Sequence, residues 1–217
     1  MVIFLFVAIS YLRKVNKSIN VITEYVETKQ KLYNELHTEF QGEVEDWNMT
    51  IGKDLSIRFN NAQVNFVLGQ ATLTDAFKNR LDEFIPRYFK ILLSDSIRPN
   101  ISEIRIEGHT DPIPVAAAND PFMGNLVLSQ ERSKQVFLYI RNMPFYTDSI
   151  SESQREQLQY WICATGFSYS RTLDSKQQLT FEFKTNPDND MSRRVEFRVL
   201  TNGEKVVERF VKSLEKQ

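Results

Sequence analysis

The amino-acid sequence predicts a layered α/β sandwich of the α+β kind, preceded by a long N-terminal helix. Three observations predict it. Apolar and polar residues alternate in several short runs, as they do in strands. Between those runs, apolar residues recur at the three- and four-residue spacing of helices, as in layered α/β folds. The first 41 residues contain neither glycine nor proline and carry a separate, longer helical pattern.

The segment at residues 1–12 is almost wholly apolar. Twelve helical residues rise only about 18 Å, whereas the hydrocarbon core of a bilayer is about 30 Å thick. The sequence therefore predicts either part of a transmembrane helix that begins upstream or an interfacial membrane anchor. The segment is followed directly by three basic residues, Arg13, Lys14 and Lys17. The positive-inside tendency would place these residues in the cytoplasm. That placement argues against an orientation in which the following domain lies outside the cytoplasm.

Residues 13–41 carry a heptad pattern. Apolar or aromatic residues recur at spacings of three and four, with one gap of seven, at Val15, Ile19, Ile22, Val26, Tyr33, Leu36 and Phe40. This pattern predicts a coiled coil, here a parallel homodimer. The alternative is a single amphipathic helix docked on the globular domain. The acidic connection between Gly42 and Gly52 is predicted to be a linker.

The globular domain alternates strand-like and helix-like segments. Period-two alternation predicts strands at residues 55–59, 103–108, 179–183 and 195–199, and a further strand is predicted to centre on residues 161–165. Helical spacing predicts one helix from its N-cap Thr74 to Leu92, with a kink or break at Pro86. A second helix is predicted from Ser129, as N-cap, to Asn142.

Composition excludes several classes of function. The chain has 27 Lys and Arg residues and 28 Asp and Glu residues. Because basic residues are not in excess, binding to nucleic acid is not predicted. The single cysteine, Cys163, excludes an internal disulfide and a cysteine-based zinc cluster. The two histidines, His37 and His109, lie on different predicted elements, so no metal site is predicted. Since neither a nucleophile elbow nor paired catalytic carboxylates can be placed, we expect no enzyme activity and no cofactor.

Asp111 and Arg132 are the candidate binding residues. Asp111 follows a predicted strand and precedes Pro112, which stiffens its loop. A Ser129 N-cap would place Arg132 in the first helical turn, where the helix dipole disfavours a cation by about 0.3–1 kcal/mol, so an anionic ligand would share the site. Arg132 can bind an anion and Asp111 can bind a cation, so together they fit the zwitterionic end of an amino acid. The alternative is a plain Asp111–Arg132 ion pair that fixes the loop.

Three ordered blocks carry a family resemblance. They read IEGHTD at residues 106–111, N-x-x-L-S-x-x-R at residues 125–132 and SRRVEFRV at residues 192–199. Together with NFVLGQATLT at residues 65–74, they resemble the signature blocks of OmpA-like C-terminal, peptidoglycan-binding domains over about two thirds of the chain. The long, proline-containing loop after Asp111 is more similar to the MotB-like stator subgroup. The resemblance implies an OmpA-like βαβαβ-type domain with a mixed sheet.

The resemblance also implies the ligand and the residues that hold it. Asp111 and Arg132 would bind the charged groups of meso-diaminopimelate in the peptidoglycan stem peptide. Asn125 and Thr110 would line the same pocket, and Arg194 or Arg193 would support it. The expected binding residues are therefore Thr110, Asp111, Asn125, Arg132, Arg193 and Arg194.

The same resemblance implies an architecture and a location. The predicted domains are a membrane segment at 1–12, a heptad helix at 13–41, the OmpA-like domain at 52–202 and a C-terminal helix at 203–217. We expect a single-pass protein of the bacterial inner membrane with its C-terminal domain in the periplasm, working with a MotA-like channel subunit as the wall anchor of an ion-driven stator complex. The alternatives are a passive envelope tether without a channel partner and a stator-like subunit of an anti-phage defence system.

Overall fold

A computed structural model describes residues 2–60, 62–67, 69–115 and 118–203. The helices are α1 (Val2–Phe40), α2 (Ala62–Asn65), α3 (Asp75–Leu92), α4 (Pro121–Asn142), α5 (Glu152–Trp161), α6 (Thr180–Phe183) and α7 (Asn189–Ser192). The strands are β1 (Met49–Ile51), β2 (Ser56–Phe59), β3 (Ile101–His109), β4 (Ile162–Gly166) and β5 (Arg194–Thr201). The C-terminal helix predicted for residues 203–217 lies almost wholly outside the described residues, as do Ala116 and Ala117 of the long loop.

The five strands form one mixed sheet in the order β1-β2-β5-β3-β4. β3 pairs with β4 in parallel and with β5 antiparallel, while β2 pairs antiparallel with both β1 and β5. The parallel pair needs a crossover, which α4 and α5 supply. The predicted α/β class with a mixed sheet is therefore confirmed.

The core lies between one face of the sheet and the long helices. Alternate residues of the central strands, such as Ile106 of β3 and Phe197 of β5, are buried on that face. Phe84 of α3 packs on Phe197 with a ring separation of 5.1 Å. The predicted N-cap of α3 forms, because the Thr74 hydroxyl accepts a hydrogen bond from the Phe77 N–H. The helix continues through Pro86 without a break.

The last turns of α1 belong to this core. Leu32, Leu36 and Phe40 are buried, and the Phe40 ring lies 4.9 Å from that of Phe84. Farther up the same predicted seam, Ile19 and Val26 are about half exposed. The C-terminal end of the heptad pattern is thus a docking surface on the domain. Within the described residues, no helix combines the length and the apolar character that a membrane span requires.

Two predicted elements differ from the structure. The prediction that Ser129 caps the second helix is wrong, because α4 begins two turns earlier at Pro121 and its N-cap is Asp120. The Asp120 carboxylate accepts hydrogen bonds from the Phe122 and Met123 N–H groups. Pro121 has no N–H, and it occupies the first helical position, where an N–H would have no partner within the helix. The strand predicted at 179–183 is also wrong: residues 180–183 form α6, and Leu179 before them makes only an isolated bridge with Leu173.

The segment predicted as a linker is structured. Residues 41–48 form consecutive turns, and β1 then adds an edge strand that pairs Met49 with Phe59 of β2. Trp47 is buried, and its ring stacks on that of Phe59 at 6.4 Å. The connection between α1 and the sheet is therefore short and packed.

Candidate binding site

The site lies where the parallel strands β3 and β4 end beneath α4. Gly108 and Gly166 pair across these strands, and a Cβ on Gly108 would lie 2.1 Å from the Ser129 carbonyl oxygen. A Cβ on Gly166 would lie 2.3 Å from the Gln130 backbone nitrogen, in the same turn of α4. The Ser129 hydroxyl accepts from the Ser168 N–H at 3.0 Å. Two glycines and one serine thus bring α4 directly onto the strand ends and position the loop that follows β3.

Asp111 is the first charged residue beyond β3, and its side chain is only 7% exposed. One carboxylate oxygen accepts from the Ile113 N–H at 3.1 Å, which closes the loop around it. The other oxygen lies 2.6 Å from an Nη atom of Arg193, which also pairs with Asp190. Asp111 is therefore paired with Arg193, not with Arg132 as in the plain ion pair considered above.

Arg132 projects from the middle of α4 on the same side. Its Nε donates to the Gln70 carbonyl at 3.1 Å, and its guanidinium lies over the Phe66 ring at 4.9 Å. Burial lowers the pKa of Arg132 to about 10, although Asp111 acts to raise it. Because Arg132 lies three turns into α4, the helix-dipole argument does not apply to it. Burial gives a different reason to expect an anionic ligand. Arg132 is a fixed cation with little contact to water, and an anion beside it would stabilise its charge.

Asn125 and Thr110 border these two charges. Asn125 is buried and donates its amide to the carbonyls of Ile113 and Pro121, so it holds the loop against the start of α4. The Thr110 hydroxyl is buried and has no hydrogen-bond partner among the described residues. Thr110 therefore offers an unused polar group next to Asp111.

Arg194 points away from this site because neighbouring residues of a strand face opposite sides of the sheet. Its Nε lies 3.1 Å from Glu196, within a charged group of side chains on the sheet face opposite the core. We call this group the sheet-face cluster; it contains Asp54, Arg58, Glu107, His109, Arg194, Glu196 and Arg198. Burial acts to raise the pKa of Glu196, but the surrounding arginines lower it below its ordinary value.

The sheet-face cluster includes a possible set of metal ligands. Ligand atoms of Glu107, His109 and Glu196 lie within 4.8 Å of one another. However, Arg194 and Arg198 are already paired with Glu196, and Arg198 Nε lies 3.5 Å from Glu107. A divalent cation would have to displace these guanidinium groups, so the donor set does not fit a metal.

His109 is the most deeply buried titratable base of the chain's described part. Its ring stacks on that of Phe167 at 5.2 Å, and its Nε2 lies 3.3 Å from Glu107. Burial lowers the pKa of His109 to about 3, with a further contribution from Arg194, so the ring is neutral at physiological pH. His109 is therefore a strand-end residue of the sheet-face cluster.

Sequence reasoning did not identify two contacts of this site. The Gln70 contact uses a main-chain carbonyl, which leaves no side-chain signal. Asp190, which shares Arg193 with Asp111, lies on the four-residue helix α7 that the sequence pattern did not predict. A signal for α7 was present: Asp188 is an N-cap whose carboxylate accepts from two backbone N–H groups.

No protein-family profile matches the chain. The Zorya protein ZorB of Escherichia coli is 31% identical over 218 residues, covering 97% of this chain and 87% of that protein. The chain belongs to the ZorB family.

Solved structures similar to this ZorB-family chain share its fold. A MotB-like protein from Desulfovibrio vulgaris is 22% identical, covers 83% of this chain and 98% of its own, and has a TM-score of 0.50. The periplasmic domain of Helicobacter pylori MotB is 12% identical, covers 78% and 99%, and has the same TM-score. The OmpA-like, MotB-like resemblance inferred from the motifs is confirmed for the fold.

Proposed function

We propose that this ZorB-family protein is a non-catalytic peptidoglycan-binding anchor that holds the diaminopimelate end of a stem peptide. The observation that carries the proposal is the state of Arg132. Its guanidinium is buried and fixed by Phe66 and Gln70, yet its two terminal nitrogens have no hydrogen-bond acceptor among the described residues. A ligand carboxylate would supply that acceptor in a bidentate, charge-assisted pair.

The second half of the ligand would meet Asp111. A diaminopimelate end carries an ammonium beside its carboxylate, and Asp111 provides the carboxylate that an ammonium requires. A lysine-containing stem peptide presents the ammonium alone and leaves Arg132 without an anion. The site therefore favours diaminopimelate over lysine.

The biological setting is part of the same proposal. The anchor would lie in the periplasm, on a single-pass inner-membrane protein that works as a homodimer with a MotA-like channel subunit in an ion-driven stator-type complex. Of the alternatives, membership of the ZorB family favours a stator-like subunit of an anti-phage defence system over a passive envelope tether. We also propose a membrane segment at 1–12, a heptad helix at 13–41, an OmpA-like domain at 52–202 and a C-terminal helix at 203–217, with β1 (Met49–Ile51) added at the edge of the domain's sheet.

The experiment is a calorimetric titration of the whole 217-residue chain with a diaminopimelate-containing muropeptide and with its lysine-containing counterpart. The whole chain is used because Leu36 and Phe40 of α1 are part of the core. We expect selective binding of the diaminopimelate form. We also expect Arg132→Ala to weaken it at least about tenfold, which corresponds to the loss of one charge-assisted contact worth about 1.5–3 kcal/mol.

The matched control is Lys134→Ala. Lys134 lies on the same helix two residues away, and its side chain is exposed and pairs with Glu131. This control removes the same charge outside the site, so its affinity should equal that of the unaltered chain. Equal affinities in Arg132→Ala and the unaltered chain would refute the proposed role of Arg132, and absence of binding to either muropeptide would refute the function.

A further inference from the structure

Arg193 occupies the position that the ligand's ammonium needs. Its Nη1 lies 2.6 Å from one carboxylate oxygen of Asp111, and the other oxygen is taken by the Ile113 N–H. Both oxygens of Asp111 are therefore engaged within the protein. Each oxygen could accept a further hydrogen bond, but a ligand ammonium beside Asp111 would also lie beside the positive charge of Arg193, so the two cations compete for one carboxylate.

The structure also provides a second partner for Arg193. Its Nη2 pairs with Asp190, whose side chain is 71% exposed, whereas that of Asp111 is 7% exposed. The guanidinium thus bridges one carboxylate inside the site and one at the surface. When it leaves Asp111, it keeps a charged partner and gains access to water, so its displacement does not leave a buried, unpaired cation.

The contact between Arg193 and Asp111 is incomplete. The Nε atom of Arg193 is buried and has no hydrogen-bond acceptor among the described residues. A buried donor without an acceptor costs free energy, and rotation of the side chain toward solvent would relieve that cost. The bridging arrangement is therefore one that a competing cation can break.

We propose that Arg193 is a specificity-determining residue that competes with the ligand's ammonium for Asp111, so that only a zwitterionic end opens the site. This inference rests on the proposed function. A zwitterion gains the Arg132 contact and the Asp111 contact together, and their sum offsets displacement of Arg193. A lone ammonium, as on a lysine stem, must displace Arg193 without the Arg132 contact, because it brings no carboxylate.

The test is titration of Arg193→Gln with the same two muropeptides. Removing the competitor leaves Asp111 open, so affinity for both ligands should rise, by about three- to tenfold for an ion pair of this exposure. Because each ligand displaces the same guanidinium, the two affinities should rise by a similar factor, and the lysine form should then bind measurably. The matched control is Arg171→Gln, which removes an exposed arginine stacked on Phe167, and which should change neither affinity.

Weaker binding of the diaminopimelate form to Arg193→Gln would overturn the inference, because Arg193 would then be a direct ligand contact. Unchanged affinities for both muropeptides would overturn it as well. If the unaltered chain binds neither muropeptide, the proposed function fails, and a double-mutant comparison still tests the Asp111–Arg193 pair on which the inference depends. Melting temperatures of Asp111→Asn, Arg193→Gln and the double variant should be non-additive; additive shifts would mean that the ion pair does not restrain Asp111.

Discussion

The buried, neutral His109 makes a specific prediction about stability against pH. Its pKa is about 3 in the folded chain and 6.5 in the unfolded reference. Between these values the unfolded chain binds one proton that the folded chain does not, so stability falls as the pH is lowered from about 6.5 toward 3. Above pH 6.5 both states are neutral and the effect vanishes.

The size of the effect follows from the unfolded pKa. At pH 5.0 the unfolded histidine lies 1.5 pH units below its pKa of 6.5, and each unit corresponds to about 1.4 kcal/mol. The chain should therefore lose about 2 kcal/mol of unfolding free energy between pH 7.5 and 5.0 through His109 alone. The pKa values of Asp54 and Glu196 in the same cluster are lowered from 3.8 and 4.5, so these two carboxylates titrate mainly below this window.

The assay is urea unfolding followed by circular dichroism at pH 7.5, 6.0 and 5.0. The loss of unfolding free energy of His109→Gln between pH 7.5 and 5.0 should be smaller by about 2 kcal/mol than that of the unaltered chain. His37→Gln is the matched control, because His37 is exposed on α1 and is the only other histidine. Equal pH-dependent losses in His109→Gln and the unaltered chain would refute a buried, neutral His109.

Three further predictions concern packing and the site. Gly108→Ala should destabilise the fold by about 2–4 kcal/mol in urea unfolding, because its Cβ would lie 2.1 Å from the Ser129 carbonyl, whereas Gly42→Ala, with open space around it, should cost less than about 1 kcal/mol. Leu36→Ala should cost about 2–5 kcal/mol and Val26→Ala, at a half-exposed position of the same helix, less than about 0.5 kcal/mol; similar losses would contradict docking of the last turns of α1. Thr110→Val removes an unpartnered buried hydroxyl, so thermal unfolding should show unchanged or raised stability, and a loss of muropeptide affinity would identify that hydroxyl as a ligand contact.

Most of the sheet and helix α3 could be predicted from the sequence because each of these elements is specified by one pattern among neighbouring residues. Strands β2, β3 and β5 alternate apolar and polar residues and β4 ends at a glycine, while α3 has a Thr74 cap and one continuous apolar face. The very short β1 has three residues and is held by its pairing with β2, which no local pattern reveals.

The start of α4 shows how two local signals compete. Ser129 precedes an apolar run and resembles an N-cap, but it is buried in mid-helix, where its hydroxyl bonds to Ser168 and to the Leu126 carbonyl. The stronger signal was Asp120 followed by Pro121. Gly124 argues against a helix by propensity, yet a Cβ there would lie 2.5 Å from that of Ala118, so the glycine serves packing against the loop.

The candidate site was only partly accessible to sequence reasoning. The motifs name Asp111 and Arg132, and the structure brings them to one side of α4. The choice between Arg193 and Arg194 could not be made, because adjacent residues at a strand end differ by half a turn and a shift of one residue exchanges their faces.

In α5, the capping box of Ser151 and Gln154 was present in the sequence and identifies the helix start.

The continuity of α1 has a mechanical consequence. The helix has 39 residues, so it is about 58 Å long at 1.5 Å per residue, and neither glycine nor proline interrupts it. Its final turns are fixed by Leu36 and Phe40 in the core and by Arg87, whose Nε lies 2.7 Å from Glu39. A torque or a pull applied near Val2 would therefore reach the sheet without a hinge. The part of α1 upstream of residue 32, about 45 Å long, would then act as a lever on the domain that carries Arg132 and Asp111.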